Sequence, residues 1–286
     1  MSRSTISDNG LLTHSFIDSD IKIVTTYDGK LWGNMNPYYT TLDEEKDQIK
    51  KNDHRLSDIL GTKTAFVLTT PPEDTIINLS RESFYSLDLR NKEDEGGYKY
   101  IPIRANAIIA ERIESNPYEI IFAPADCAIL TMKPRGVDIV IAIHIGSPQM
   151  LQGIHIKSLN TAKSLYPNIN WNNLEVYVTP YICKNHYTIS EDTYKLFRNH
   201  FRNQDLLTQY TEETVNPNFE GKRYRIDFIN IVKTELREHF GISEVVESGF
   251  CTYEESLKGN LFSHELSQEN ENDNKYKGAF NVAIKV

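Results

Sequence analysis

Ala123-Pro124-Ala125-Asp126-Cys127-Ala128-Ile129-Leu130-Thr131-Met132, then Lys133-Pro134-Arg135-Gly136, then Val137-Asp138-Ile139-Val140-Ile141-Ala142-Ile143-His144 is the most informative stretch of the chain. Two runs of β-branched and apolar residues flank a Pro/Gly turn, the pattern of a β-hairpin. A tip between Arg135 and Gly136 sets Cys127 directly opposite His144. Opposite residues of an antiparallel pair share a face with Cβ atoms about 4.5–5.5 Å apart, so a thiol and an imidazole would meet. A one-residue slip would part them.

Such a pair has two chemical uses. An imidazole beside a thiol stabilises the thiolate and moves a proton, as a nucleophilic cysteine requires. Alternatively, the two are ligands for zinc or copper, which needs at least one further donor. A buried Cys packed on a satisfied core His is the bland alternative. Ser147-Pro148 reads as the N-cap and first position of a helix carrying Leu151, Ile154, Leu159, Ala162 and Leu165 on one face. Its N-terminus would favour an anion near Cys127, which makes Cys127 the expected most reactive thiol.

Outward from the hairpin, further strands are expected at Thr64–Leu68, Thr75–Leu79, Ile120–Phe122, Leu174–Thr179 and Ala279–Ile284. A second helix should open at about Asp227, place Ile229, Val232, Leu236 and Phe240 on one face, and stop at Gly241. Strands and helices mix without a strict βαβ rhythm, which predicts an α+β fold with a mixed sheet. Without internal repeats or a long linker, a single domain over 1–286 is expected, with residues 1–12 loose. The run from Gln268 to Asn274 and the stretch from Arg90 to Gly97 read as solvated loops.

The 286 residues are 39% hydrophobic with a formal charge of −9, a balance that suits a folded domain and disfavours a nucleic-acid partner. Three widely spaced cysteines, Cys127, Cys183 and Cys251, fit neither a disulfide framework nor a CxxC module. Reduced thiols in a cytoplasmic protein are the expectation, with Cys183 and Cys251 structural. No leader pattern or long apolar span is visible, so no membrane role is expected.

The chain resembles the laccase-domain family, also called multicopper polyphenol oxidase-like or purine nucleoside phosphorylase-like proteins. The likeness runs through Thr13-His14-Ser15-Phe16, Lys51-Asn52-Asp53-His54-Arg55-Leu56, Arg104-Ala105-Asn106-Ala107, Ala125-Asp126-Cys127, Ala142-Ile143-His144-Ile145-Gly146, Val178-Thr179-Pro180-Tyr181-Ile182, Cys251-Thr252-Tyr253 and Leu261-Phe262-Ser263. It implies a mixed β-sandwich flanked by helices. It also implies a His, Cys, His metal site acting on purine nucleosides by phosphorolysis, with adenosine deamination as a further activity.

The resemblance carries the family's Cys and second His to Cys127 and His144. The first His has no counterpart, because the matching stretch is Thr69-Thr70-Pro71-Pro72-Glu73. Zinc is therefore expected to be weak or absent, its third ligand missing unless Glu73, His264 or His186 substitutes. Ser147-Pro148 and His264-Glu265-Leu266 replace arginines of the family, which removes phosphate contacts. Substrate-binding positions are expected at Asn106, Asp126, Ser147 and His264.

Three readings follow. One is a divergent enzyme of purine nucleosides. The second is a metal-free cysteine hydrolase or deamidase, since the fold is also similar to that of the glutamine deamidases of chemotaxis and of necrotizing-factor toxins. The third is an inactive scaffold or binding protein. The expected partner is accordingly a nucleoside or an amide substrate, and the oligomeric state is left open.

Overall fold

The computed structural model describes residues 3–17, 19–35, 43–69, 74–86, 94, 96–201, 204–216, 218, 220–270 and 278–286. Its strands are β1 (Arg3–Ile6), β2 (Leu11–Ser15), β3 (Lys22–Thr26), β4 (Thr64–Thr69), β5 (Ile76–Leu79), β6 (Lys99–Arg104), β7 (Ala107–Glu111) and β8 (Glu119–Phe122). They continue with β9 (Ala128–Pro134), β10 (Ile139–Ile145), β11 (Leu174–Val178), β12 (Thr188–Ser190), β13 (Thr211–Thr214), β14 (Arg223–Ile226), β15 (Val246–Glu247) and β16 (Val282–Lys285). The helices are α1 (Gly29–Trp32), α2 (Asp43–Leu60), α3 (Arg81–Ser86), α4 (Ser147–Leu151), α5 (Ile154–Leu165), α6 (Glu191–His200), α7 (Gln204–Gln209), α8 (Phe228–Phe240), α9 (Thr252–Lys258) and α10 (His264–Glu269).

The strands form a seven-stranded sheet ordered β1-β2-β3-β16-β8-β4-β6, a six-stranded sheet ordered β15-β11-β9-β10-β7-β5, and a small sheet ordered β12-β14-β13. Parallel pairs β4–β6, β4–β8, β5–β7 and β11–β15 sit among antiparallel ones, so both large sheets are mixed. The two large sheets pack face to face. Leu12, Ile23, Phe66, Ile120 and Ile284 of one meet Ile108, Ala110, Ile129, Val140 and Tyr177 of the other in one buried cluster.

The outer faces are covered by helices. Leu56 and Leu60 of α2 pack on Val24, Ala65, Ile121 and Ala283. Leu159 and Ala162 of α5, with Ile229, Val232 and Leu236 of α8, pack on Leu130, Met132, Ile141, Ile143 and Val176. β10 shows how the sequence does this: Ile139, Ile141 and Ile143 face the helices, while Val140 and Ala142 face the other sheet. Such strands are apolar on both faces because both are buried. The fold is an α+β mixed sandwich flanked by helices, as the sequence and its resemblance implied.

Expected elements recur with shifted ends, and four expectations need correction. Residues 1–12 are not wholly loose, since β1 pairs along its length with β2. The helix expected from Ser147 through Leu165 is two helices, because Gly153 takes a left-handed φ of 65° as the N-cap of α5. Gly146, not Ser147, is the N-cap of α4, and Ser147 is its first residue. Finally, Gln268 and Glu269 belong to α10 instead of a loop, while 271–274 and most of 90–97 lie outside the described residues.

Candidate functional site

β9 and β10 pair with His144 opposite Ile129 and Ile145 opposite Ala128. The hairpin therefore turns through Arg135, Gly136, Val137 and Asp138, two residues out of the expected register, because β9 continues through Pro134 and Gly136 supplies a φ of 71° within the loop. Continued one step, this register puts Cys127 against Gly146. A shift of two leaves side-chain direction unchanged. Cys127 and His144 thus remain on one face, the face of Ile129, Val140 and Ala142, but as diagonal and not direct neighbours.

Gly146 marks the close approach. A Cβ there would meet Gln149 Oε1 at 2.7 Å and Cys127 Sγ at 2.9 Å. The next residue, Ser147, hydrogen-bonds its hydroxyl to that of Tyr187. Behind His144, its backbone N–H donates to the Asn106 carbonyl at 2.8 Å, and Asn106 Oδ1 accepts from Thr75 N–H at 3.2 Å. Asn106 is fully buried and joins the starts of β5 and β7, so its described contacts hold backbone in place.

Asp126 is tied into the helices that follow. It accepts from Thr252 Oγ1 at 2.6 Å and from the Glu265 backbone N–H at 2.8 Å. Burial raises its carboxyl above the usual range, and these hydrogen bonds oppose the rise. His264 is exposed, with Nε2 at 2.9 Å from Gln268 Nε2, yet it is near enough to Asp126 to oppose the rise of that carboxyl. Next to it in the chain, buried Glu265 accepts from Thr188 Oγ1 at 2.9 Å, and burial lifts its pKa to about 7. Arg223 of β14 stands 4.0 Å from the same carboxylate, an arginine that sequence spacing did not bring near this region.

The electrostatics reverse one expectation. Cys127 and His144 are half-buried, open to solvent yet set deep among protein atoms. Burial, then the Asp126 carboxylate, pushes the Cys127 thiol up to about 12. Burial pulls His144 down to about 4. At neutral pH both are therefore uncharged, and the imidazole does not act to ionise the thiol. A five-residue α4 without a side-chain cap supplies too little dipole to overcome this desolvation.

Around these two residues no further His, Cys, Asp or Glu completes a set of three among the described residues, and Glu73 lies outside them. A different set converges instead: Cys183, His186, Cys251 and Glu254 present one ligand atom each, all within 4.8 Å of one another. The sequence contained its signal, a Cys-x-x-His and a Cys-x-x-Glu, but 64 residues separate His186 from the start of the second pair at Cys251 only after Asn216 and α8 have intervened, so folding alone unites them. A cavity of about 610 Å³ lies between α4, α5, α7 and α8 and includes neither Cys127 nor His144.

A family model described as multi-copper polyphenol oxidoreductase laccase matches residues 26–275. Similar solved structures include a Neisseria meningitidis protein at 16% identity, covering 96% of this chain and 98% of that one with a TM-score of 0.69. The Bacillus licheniformis hypothetical protein YfiH, at 16% identity, covers 99% and 98% with a TM-score of 0.71. YlmD from Geobacillus stearothermophilus, also at 16%, covers 99% and 98% with a TM-score of 0.69. At that identity the likeness is one of fold. No curated protein matches the chain.

Proposed function

The chain belongs to the multi-copper polyphenol oxidoreductase laccase family, and from that premise we propose that it deaminates a purine nucleoside with water, using His144 as the proton acceptor. The observation that carries this reading is the placement of a neutral imidazole and a neutral thiol on one face at the open end of the β9–β10 hairpin. The purine nucleoside class rests on the motifs through which the sequence resembles the family. Deamination is preferred to phosphorolysis because the arginines expected for a phosphate are replaced by Ser147-Pro148 and His264-Glu265.

In the proposed step a water oxygen bonds to purine C6 and the bond from C6 to the exocyclic nitrogen breaks. One water proton passes through His144 to the departing amine, which leaves as ammonia, and the other ends on N1. Cys127 lines the same face as an un-ionised donor. A thiol held near 12 has almost no thiolate at neutral pH, which disfavours a nucleophilic cysteine. The family's description names copper, but Cys127 and His144 alone are two donors, too few to hold an ion well, so no step is routed through metal.

Adenosine, inosine and guanosine should be incubated with the full chain, with and without phosphate, and separated by chromatography. Adenosine should yield inosine and ammonia at a rate indifferent to phosphate. His144→Ala should lower kcat/KM by about 10²–10⁴, the usual weight of a general base. Phosphate-dependent release of free base would replace deamination by phosphorolysis, and no turnover of any nucleoside would leave a scaffold.

A further inference from the structure

We propose that Cys183, His186, Cys251 and Glu254 form a zinc site, separate from Cys127 and His144. Two sulfurs, an imidazole nitrogen and a carboxylate oxygen make a four-donor set of the kind zinc takes tetrahedrally. Thiolate ligands favour zinc over magnesium or calcium.

The backbone is already shaped for it. Residues 183–186 form a tight turn in which the His186 and Tyr187 N–H groups donate to the Cys183 carbonyl at 3.1 and 3.0 Å. Cys251 is fixed by a parallel bridge to Tyr181 and by the start of α9, which puts Glu254 one turn further on. The Cys183 N–H donates to Cys251 Sγ at 3.3 Å. A backbone donor aimed at a ligand sulfur steadies a metal thiolate and fixes its direction.

The imidazole is oriented too. Tyr253 stacks on His186 at 4.3 Å with 6° between the rings, and His186 Nε2 lies 3.2 Å from Glu254 Oε1. Zinc would enter between these two atoms and the two sulfurs. Both thiol protons leave to solvent on binding, so uptake weakens as pH falls. The Glu254 side chain is 51% exposed and Cys251 is buried, which leaves an entry path on the carboxylate side.

The test uses the untagged full chain, reduced and stripped with a chelator. Titrated zinc should bind at one equivalent, and cobalt(II) should develop thiolate-to-metal charge transfer and the visible bands of a tetrahedral site. Cys183→Ser and Cys251→Ser should abolish the charge transfer and weaken zinc by at least about 100-fold, more than an outer-shell change costs. Cys127→Ser and His144→Ala should leave the spectrum unchanged. If either serine variant misfolds, alkylation of the wild-type chain decides: zinc should protect Cys183 and Cys251 and not Cys127. No charge transfer, equal alkylation with and without zinc, or a spectrum lost with Cys127→Ser but kept with Cys183→Ser would overturn the assignment. A Cys183–Cys251 disulfide that resists reduction and excludes zinc would overturn it as well.

Discussion

At Gly146 a single methyl group is enough to disturb the candidate site, because the Cβ would sit 2.9 Å from Cys127 Sγ and 2.7 Å from Gln149 Oε1. Gly146→Ala should cost about 1–3 kcal/mol, the usual penalty of overpacking, read as a lower urea midpoint. The thiols themselves should separate by ionisation. Cys183 is lowered to about 7, first by its hydrogen bond with Cys251, whereas burial holds Cys127 near 12. In the metal-free chain iodoacetamide at neutral pH should therefore label Cys183 first, with Cys127 reacting only in strong alkali. Faster labelling of Cys127 would contradict the burial argument. This is the reverse of what the sequence suggested. The Cys127–His144 face was legible there, since alternation survives a register error of two, but desolvation depends on packing that no spacing reveals. The same limit hid Cys183 and Cys251, each of which looked structural while its partner lay far along the chain.

Helix α8 shows what local sequence can specify: Asp227 caps it through Asn230 N–H at 3.2 Å and Gly241 ends it at φ 70°. Removing the cap with Asp227→Ala should cost about 1 kcal/mol, measured as a lower Tm. The break between α4 and α5 was less legible, because the apolar stripe runs on across Gly153. Helix α2 carries a tertiary feature that composition conceals. Burial, with the Glu119 charge, raises Asp53 to about 8, and burial raises Glu119 at the start of β8 to about 7. Asp53 accepts from Asn281 Nδ2 at 2.8 Å and Glu119 accepts from the Ser57 hydroxyl. The fold keeps protons here that the unfolded chain releases near its ordinary carboxylate values. Their contribution is complete below those values and is lost as pH rises through about 7 to 8. The urea midpoint should fall from mildly acid to mildly alkaline solution, and Asp53→Asn should lessen the fall. An undiminished fall in that variant would assign it to other groups.

Across the whole molecule, the sandwich was legible because the long strands β4, β9, β10 and β11 and the helices that cover them carry strong apolar patterns. Short edge and satellite strands such as β12 to β14 were not, since their order depends on neighbours distant in sequence. The inter-sheet layer also contains a charge-sensitive point: His14 lies buried, stacked on Tyr177 at 3.8 Å between ring centroids. Burial lowers it to about 4, so the unfolded chain binds its proton more readily. Stability from this group is present above the ordinary histidine value and is lost as pH falls through about 4, opposite in sign to Asp53 and Glu119. His14→Gln should soften the acid limb of a denaturation series and leave the alkaline limb alone. The β9–β10 loop has its own bearing on how relatives of this chain can diverge. A slide of the strands by two residues, from a longer or shorter segment between Pro134 and Ile139, keeps Cys127 and His144 on a common side, whereas a slide of one turns them to opposite faces. Deletions and insertions at this turn should accordingly survive selection in even numbers, a parity rule written into the pleat.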